Sequence, residues 1–398
     1  MKYKFTITKG YVKNWGLIEG VREILQNAID SEGKMEIDKG EDYISISNIN
    51  VKLPIKSLLL GYGTKSNDNE KIGGHAEGSL LAIMALTRSG YNIDIINNDE
   101  RWIPSFEYDD DIKENIFCIT TEECEKTYKL TYTIGDINRL EMKTLEDTFL
   151  DLYTENVTLD TVKTKYGFII KNPEMKGRMF VNGLPIYKDE DFNFGYDFKP
   201  EYVTLDRDRK SINRSELRKI TTLALTYMEE PDYKILDTVI DKGGEDINYL
   251  ENHIEDMNPE FITNYGEHLK ERFGVDDNTV VSTKNELFET ITNKYKDDPD
   301  IKLKTVDRAV YSKILNTVCD FSNNILKEEK KIKDTQNKYD EAWEEYNYSN
   351  YKDLLQWIQT IKNKINKNEL DSFYNIIEEL EPYNFYLIKD DVFKEVIE

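Results

Sequence analysis

Apolar and polar positions follow two different periods along the first part of the chain, and each period predicts one kind of element. A spacing of three to four residues predicts helices over 15–31 and 79–88. A further helix is expected at about 138–152. Alternation at every second residue instead predicts strands. The expected strands are 3–8, 43–48, 91–97, 101–108, 115–121 and 127–134. Such an arrangement favours an α/β sandwich, with helices on one face of a mixed sheet.

The pattern changes after about residue 155. Strands are expected in YGFIIKN and GRMFVNGLPIY, where Asn182 and Gly183 form a typical hairpin turn. The next helix follows Asn213, which together with Glu216 has the spacing of a capping box.

The rest of the chain, from 246, is mostly helical by pattern. One strand–helix–strand unit is expected within 278–306. At 323–346 a charged, solvent-bridging helix is expected in preference to a coiled coil, because apolar positions are too few for a sustained heptad. The fold class is therefore α+β. The expected domains are 1–155, a smaller α/β domain over 156–245, and a helical region over 246–398.

Composition and charge narrow the possible functions. The 398 residues are 39% hydrophobic and 12% aromatic, which favours a folded chain. A formal charge of −24 disfavours general binding to nucleic acid or to anionic membrane. It leaves a local basic patch, a basic partner, or a protein that occupies a DNA-binding surface by resembling the charge of DNA. No apolar run is long enough to span a bilayer and the first residues lack a signal-peptide core, so a cytoplasmic protein is expected. Three cysteines fit neither a disulfide framework nor a zinc pattern, and reduced, buried or half-buried thiols are expected at Cys118, Cys124 and Cys319.

The first predicted helix carries three polar residues on one face, which we call the polar arc. Glu23, Asn27 and Asp30 fall within about 60° on a helical wheel, opposite the apolar residues. Considered alone, this spacing is explained equally well by a solvent-exposed helix face and by a metal–nucleotide site.

A glycine-rich segment changes the balance between these two interpretations. The stretch LLLGYGTKSNDNEKIGGHAEGSLLAIMAL places Gly73, Gly74 and Gly78 directly before an apolar helix. Glycines let backbone amides approach a phosphate, and the start of a helix favours negative charge. An amide can ligate Mg²⁺ and a carboxylate can orient water, so these residues favour a magnesium–triphosphate site. A mobile loop is the alternative for the glycines alone.

These motifs together resemble those of a known superfamily. EILQNAID (23–30) is similar to the E-x-x-x-N-A-x-D box of the GHKL ATPases, which include gyrase, MutL, ATP-driven heat-shock chaperones and histidine kinases. IGGHAEG (72–78) resembles the second glycine box, and LLLGYGTKS resembles the lid before it. The resemblance covers roughly residues 1–155. The wider arrangement, with FVNGLPIY and LDRDR, resembles phage-encoded members such as the rapid-lysis A protein of T-even phages.

The resemblance implies a Bergerat-type sandwich, a transducer-like second domain, and specific roles. Glu23 would be the general base, Asn27 the Mg²⁺ ligand, and Asp30 a support for the helix face or the nucleotide side of the pocket. The remaining implied nucleotide-binding positions are the lid residues Lys65 and Ser66, the phosphate-loop glycines Gly73, Gly74 and Gly78, and the helix start at Glu77–Ser79.

Three positions depart from the superfamily pattern. Asn48 stands where an aspartate normally binds the adenine amino group, and its carbonyl oxygen can still accept that hydrogen bond without charge. His75 and Ala76 replace an aromatic residue and a glycine. His75 would contact a phosphate or fill the place of the aromatic ring, and the second interpretation is preferred.

A basic stretch in the second domain offers a further contact. By the resemblance, Arg207 or Arg209 would reach the γ-phosphate, for which a guanidinium is well suited. Solvated ion pairs within LDRDR are an equal alternative.

The sequence therefore predicts two alternative functions. The first is an ATPase: a Mg²⁺-dependent ATP-binding protein whose slow hydrolysis drives a conformational change. By the resemblance, it would be encoded by a phage and would act on a host or phage partner in the host cytoplasm. The second is a degenerate GHKL fold without turnover that serves as an acidic inhibitor or adaptor, for example against host defence; the charge of −24 is its support.

Overall fold

The structure is a computed structural model that describes residues 1–58, 78–154, 157–205, 211–338 and residue 341. Helices and several sheets make up these residues, which confirms the α+β class. The chain divides into two compact units. The first contains residues 1–272 and 308–314, and the second contains residues 273–307 and the described residues from 315 onward.

A seven-stranded sheet forms the start of the first unit. Its strands are β1 (Lys2–Thr8), β2 (Met35–Lys39), β3 (Ile44–Ile49), β4 (Asn92–Asn97), β5 (Glu100–Asp109), β6 (Glu114–Glu123) and β7 (Lys129–Gly135). Their spatial order is β1-β6-β5-β4-β7-β3-β2. All the strands predicted in this region are confirmed, and β2 is an addition.

Every neighbouring pair in this sheet is antiparallel, so the prediction of a mixed sheet here is wrong. The reason is the position of β7. Strands β3 and β4 run in the same direction, but β7 lies between them and is antiparallel to both. An insertion of this kind depends on distant pairing and leaves no local pattern in the sequence.

One face of the sheet is buried and the other is polar. Alternate residues such as Ile46, Ile95 and Tyr132 are buried, and helices α1 (Leu17–Ile29) and α2 (Gly78–Ser89) pack beside the sheet. The opposite face carries hydroxyl pairs between β3 and β7, one of which joins Ser47 Oγ and Thr131 Oγ1 at 2.9 Å. This is the period-two alternation that the sequence predicts.

Two helices follow the sheet where one was expected. They are α3 (Arg139–Thr148) and α4 (Leu150–Thr154). Phe149 separates them because its backbone is extended, at φ −105° and ψ 127°. Its ring is buried, so packing of this side chain accompanies the break.

A second sheet, with five strands, follows in the first unit. Its strands are β8 (Thr161–Thr164), β9 (Gly167–Ile170), β10 (Arg178–Val181), β11 (Leu184–Lys188) and β12 (Gly195–Phe198), in the order β11-β10-β12-β9-β8. The predicted hairpin is confirmed: Asn182 and Gly183 both have positive φ, 47° and 76°, as this two-residue turn requires.

Helix α5 (Arg214–Thr226) packs on this sheet. Asn213 is its N-cap as predicted, because the Asn213 side chain accepts from the backbone of Ser215 at 2.8 Å. The predicted capping box is wrong: Glu216 accepts from the backbone nitrogen of Thr204 at 2.9 Å. Helices α6 (Tyr233–Lys242), α7 (Asn248–Asn252) and α8 (Pro259–Phe273) follow.

The second unit contains the predicted strand–helix–strand motif. Strand β13 (Thr279–Ser282) leads through α9 (Glu286–Tyr295) to the parallel strand β14 (Lys302–Thr305). Helix α10 (Ala309–Val318) comes next in the chain, and residues 320–338 are helical, which confirms a helix over the described part of 323–346. The expectation that this helix is solvated on all sides is wrong, because Ile325 is buried in a cluster with Val280 and Ile291. Within the described residues, no helix combines the length and hydropathy needed to cross a membrane.

The three cysteines match their expected state. Cys118 and Cys319 are buried, Cys124 is half-buried, and none forms a disulfide.

Candidate functional site

The polar arc of α1 is not a freely exposed helix face. Glu23 and Asn27 are half-buried, and Asp30 is only 5% exposed at the residue that caps the end of the helix. At the other end, the Glu19 carboxylate accepts from the backbone of Gly16 at 2.9 Å and marks the helix start. The arc therefore lies against protein over much of its length.

The start of α2 is the part of the protein that Glu23 approaches. Gly78, the first residue of α2, has no side chain, and the Glu23 carboxylate occupies the space that a Cβ atom there would fill. Residues 23 and 78 come from the two motifs identified in the sequence, and the structure places them next to each other. Glycine at 78 permits this approach because any other residue would displace the carboxylate.

Asn27 joins the same two helices through hydrogen bonds. Its amide nitrogen Nδ2 donates to the backbone oxygen of Glu23 at 2.8 Å and to Ser79 Oγ at 3.0 Å. Ser79 is the second residue of α2, so the side chain of Asn27 connects the middle of α1 to the beginning of α2.

Tyr132 lies behind Ser79 on the buried face of β7. It is 5% exposed, and burial raises the pKa of its hydroxyl well above the ordinary value, while its contact with Ser79 acts in the opposite direction.

Asn48 lies at the other end of α1, on β3. It is 4% exposed, and its Nδ2 donates to the backbone oxygens of Ala28 at 3.0 Å and Gly33 at 3.3 Å. Gly33 lies so close to the backbone oxygen of Ile49 that a Cβ atom would overlap it. The loop after α1 is thereby held against β3.

The structure thus brings together Glu23, Asn27, Gly78 and Ser79, and places Asn48 beside the C-terminal turn of α1. The other predicted site residues lie outside the described residues: Lys65, Ser66, Gly73, Gly74, His75, Glu77, Arg207 and Arg209. Across the described ranges, no group of three or more His, Cys, Asp or Glu side chains could hold a metal ion.

Sequence reasoning missed a contact between α1 and the second sheet. Arg22, next to Glu23, is 5% exposed, and its guanidinium donates to the backbone oxygen of Pro185 on β11 at 2.6 Å. The sequence did contain a signal for this contact. Arg22 stands beside the apolar face of an amphipathic helix, where a buried charge needs a hydrogen-bonding partner.

A pair of carboxylates near the Asn182–Gly183 turn was also missed. Asp197 on β12 accepts from the backbone nitrogen of Gly183 at 2.9 Å. Burial, with a contribution from the negative charge of Asp151, raises the pKa of Asp197 to about 7. Burial also raises the pKa of Asp151. Burial and the repulsion between the two negative charges both disfavour the ionisation of Asp151 and Asp197 at the same time.

The fold and the site together define an α+β protein in which two motif-bearing helices meet on one face of an antiparallel sheet. Residues 140–230, from α3 to just beyond α5, match the family described as the Mycoplasma pneumoniae MPN635 N-terminal domain. The chain is also similar to an uncharacterized protein of Mycoplasma pneumoniae (strain ATCC 29342 / M129), with 28% identity over 244 residues. That alignment covers 55% of this chain and 94% of the Mycoplasma protein.

Proposed function

We propose that the N-terminal part of the first unit is a Bergerat-type domain that binds ATP with Mg²⁺ and hydrolyses it slowly. The observation that carries this proposal is the meeting of Glu23 and Asn27 with the first residues of α2. The residues come from the two sequence motifs that resemble GHKL boxes, and their proximity is what a shared nucleotide site requires.

The chemistry at the start of α2 suits a triphosphate. A helix of 12 residues begins at Gly78, and its first backbone N–H groups favour phosphate oxygens. In the proposed reaction, water attacks the γ-phosphorus and the bond to the β–γ bridging oxygen breaks, so that ADP and phosphate form. Glu23 accepts the proton of the attacking water.

The donor set also fits a hard cation. Asn27 uses both hydrogens of its amide nitrogen on the protein, so its carbonyl oxygen Oδ1 is the atom that serves as a ligand. When bound, Mg²⁺ would neutralise phosphate charge and orient the triphosphate. Only one protein ligand is needed, because Mg²⁺ usually keeps several waters and takes its other oxygens from phosphates.

The adenine side would lie toward the end of α1. Asn48 donates its amide hydrogens to backbone oxygens, so its Oδ1 is suited to accept the adenine amino group. Asp30 would support this side of the pocket. The lid, the phosphate-loop residues and the second-domain arginines keep the roles that the resemblance implies, with Lys65, Ser66, Gly73, Gly74, His75 and Glu77 near the nucleotide and Arg207 or Arg209 toward the γ-phosphate.

The output would be a conformational change passed to a protein partner. The bond from Arg22 to Pro185 supports this, since it joins the helix that carries Glu23 to the second sheet. By the resemblance, the protein would be phage-encoded and would act in the host cytoplasm.

Isothermal titration calorimetry with ATP and Mg²⁺, followed by phosphate release, tests the proposal with wild type and Glu23→Gln. Wild type is expected to bind, and Glu23→Gln is expected to bind equally but to hydrolyse about a hundredfold more slowly, because it has lost its general base.

Glu36→Gln is the matched control, since Glu36 is a half-exposed glutamate paired with Lys129 at 2.7 Å on the other side of the sheet. It should retain wild-type turnover. Absence of binding by wild type at millimolar ATP would remove the proposal and favour the acidic adaptor. Unchanged turnover in Glu23→Gln would remove Glu23 from its proposed role.

A further inference from the structure

The amide group of Asn27 has a defined orientation. The atom facing the backbone oxygen of Glu23 must be Nδ2, because that carbonyl has no proton to donate. The second hydrogen of the same nitrogen goes to Ser79 Oγ at 3.0 Å. An amide nitrogen has two hydrogens, so both are committed and Oδ1 remains as the acceptor.

The hydroxyl of Ser79 supports this orientation rather than competing with it. A serine hydroxyl has one proton and can accept other hydrogen bonds at the same time. The Ser79 oxygen keeps its lone pairs for this purpose whichever way its own proton points, and it accepts from Asn27 Nδ2 at 3.0 Å.

We infer that the Ser79 side chain is a positioning residue for the cation: it fixes the amide of Asn27 so that Oδ1 is presented to Mg²⁺. This inference rests on the proposed function of the site. It assigns to the hydroxyl of Ser79 a role separate from that of its backbone N–H, which the resemblance places at the phosphates.

Removal of the hydroxyl should affect only the part of nucleotide affinity that depends on Mg²⁺. In Ser79→Ala, one amide hydrogen of Asn27 loses its acceptor and only the bond to the backbone oxygen of Glu23 remains, so the amide is held less tightly toward the cation. The backbone N–H of residue 79 is retained, so contacts with phosphate should persist. A threonine at 79 keeps the hydroxyl and should restore the wild-type behaviour.

The experiment is calorimetric titration of the full chain with ATP, once with excess Mg²⁺ and once with EDTA. The quantity measured is the ratio of the two dissociation constants. Ser79→Ala should lower the gain from Mg²⁺ by about three- to tenfold, the value of one hydrogen bond. Its dissociation constant in EDTA should equal that of wild type. Ser79→Thr should keep the gain at its wild-type value.

Thr131→Val is the matched control, because Thr131 adjoins Tyr132 on β7 and its hydroxyl bonds Ser47 on the opposite face. It should leave the ratio unchanged. A wild-type ratio in Ser79→Ala would overturn the inference while leaving ATP binding intact, as would equal weakening with and without Mg²⁺. If wild type binds no ATP in either condition, the proposed function fails and the inference fails with it.

Discussion

At the scale of single residues, the orientation of two asparagine amides determines which of their polar atoms the candidate site presents. Asn27 and Asn48 both donate their amide hydrogens to protein acceptors, which leaves two carbonyl oxygens as the polar atoms for a ligand. The sequence predicted both residues at the candidate site from their motifs. It could not predict their orientation, because the acceptors on Ser79 and Gly33 are brought near only by the tertiary fold.

Asp197 makes stability depend on pH in a direction opposite to that of an ordinary ion-paired aspartate. Its pKa in the folded state is about 7, above the ordinary value of 3.8, so the folded protein holds this proton more tightly than the unfolded chain. The stabilisation is complete below the unfolded pKa and is lost as pH rises through about 7. We expect wild type to lose about 2–3 kcal/mol from this group between pH 5 and pH 8.

Urea unfolding at both pH values measures this effect as a difference between wild type and Asp197→Asn. The variant keeps an oxygen that can accept from Gly183 but has no charge, so its stability should fall less over the same interval. Asp151→Asn should reduce the loss in part, because it removes the neighbouring negative charge. Identical pH dependence in wild type and Asp197→Asn would contradict the assignment.

At the scale of elements, hydrophobic periodicity predicts the helices well and their mutual placement not at all. The helix expected over 15–31 is observed as Leu17–Ile29, and the one over 79–88 as Gly78–Ser89. Their close packing depends on Gly20, where an added Cβ would lie 2.6 Å from Leu86 Cγ. No pattern within either helix contains this pairing.

Hydrophobic periodicity missed three short strands, two of which lie at the edge of a sheet. β2 and β8 are edge strands with few buried apolar residues, and β12 has only four residues. Edge strands commonly carry charged residues, as MEIDK does, and this removes the alternating signal. The wrong capping box at Glu216 has a similar origin, since its partner Thr204 is distant in the chain.

The approach of α1 to α2 provides a prediction for Gly78→Ala. A methyl group at residue 78 would overlap the Glu23 carboxylate, which is the end of a flexible side chain and can move at modest cost. We expect ATP hydrolysis to fall by about ten- to a hundredfold, because the general base is displaced. The melting temperature should change little.

Gly135→Ala is the control for Gly78→Ala, since a Cβ at residue 135 would make only ordinary contacts, the nearest at 3.6 Å. Phosphate release and thermal unfolding of the two variants give the comparison. Wild-type hydrolysis by Gly78→Ala would show that the position of the Glu23 carboxylate does not govern turnover.

At the scale of the whole molecule, the sequence predicted a fold class and a candidate site, and distant packing supplied the rest. The antiparallel arrangement of the first sheet, the link from Arg22 to β11 and the Asp151–Asp197 pair all join residues far apart in the chain. The charge of −24 belongs to the whole sequence and disfavours general binding to nucleic acid. Nucleotide binding is the central claim, and it depends on a few residues of α1, β3 and α2.

The most direct test of that claim is a crystal structure of the full chain with Mg²⁺ and a non-hydrolysable ATP analogue. We predict phosphates at the start of α2 beside Gly78, Mg²⁺ at about 2.1 Å from Asn27 Oδ1, and the Glu23 carboxylate facing the γ-phosphate. The adenine amino group should donate to Asn48 Oδ1. A nucleotide bound elsewhere, or none bound in crystals soaked at millimolar analogue, would contradict the account.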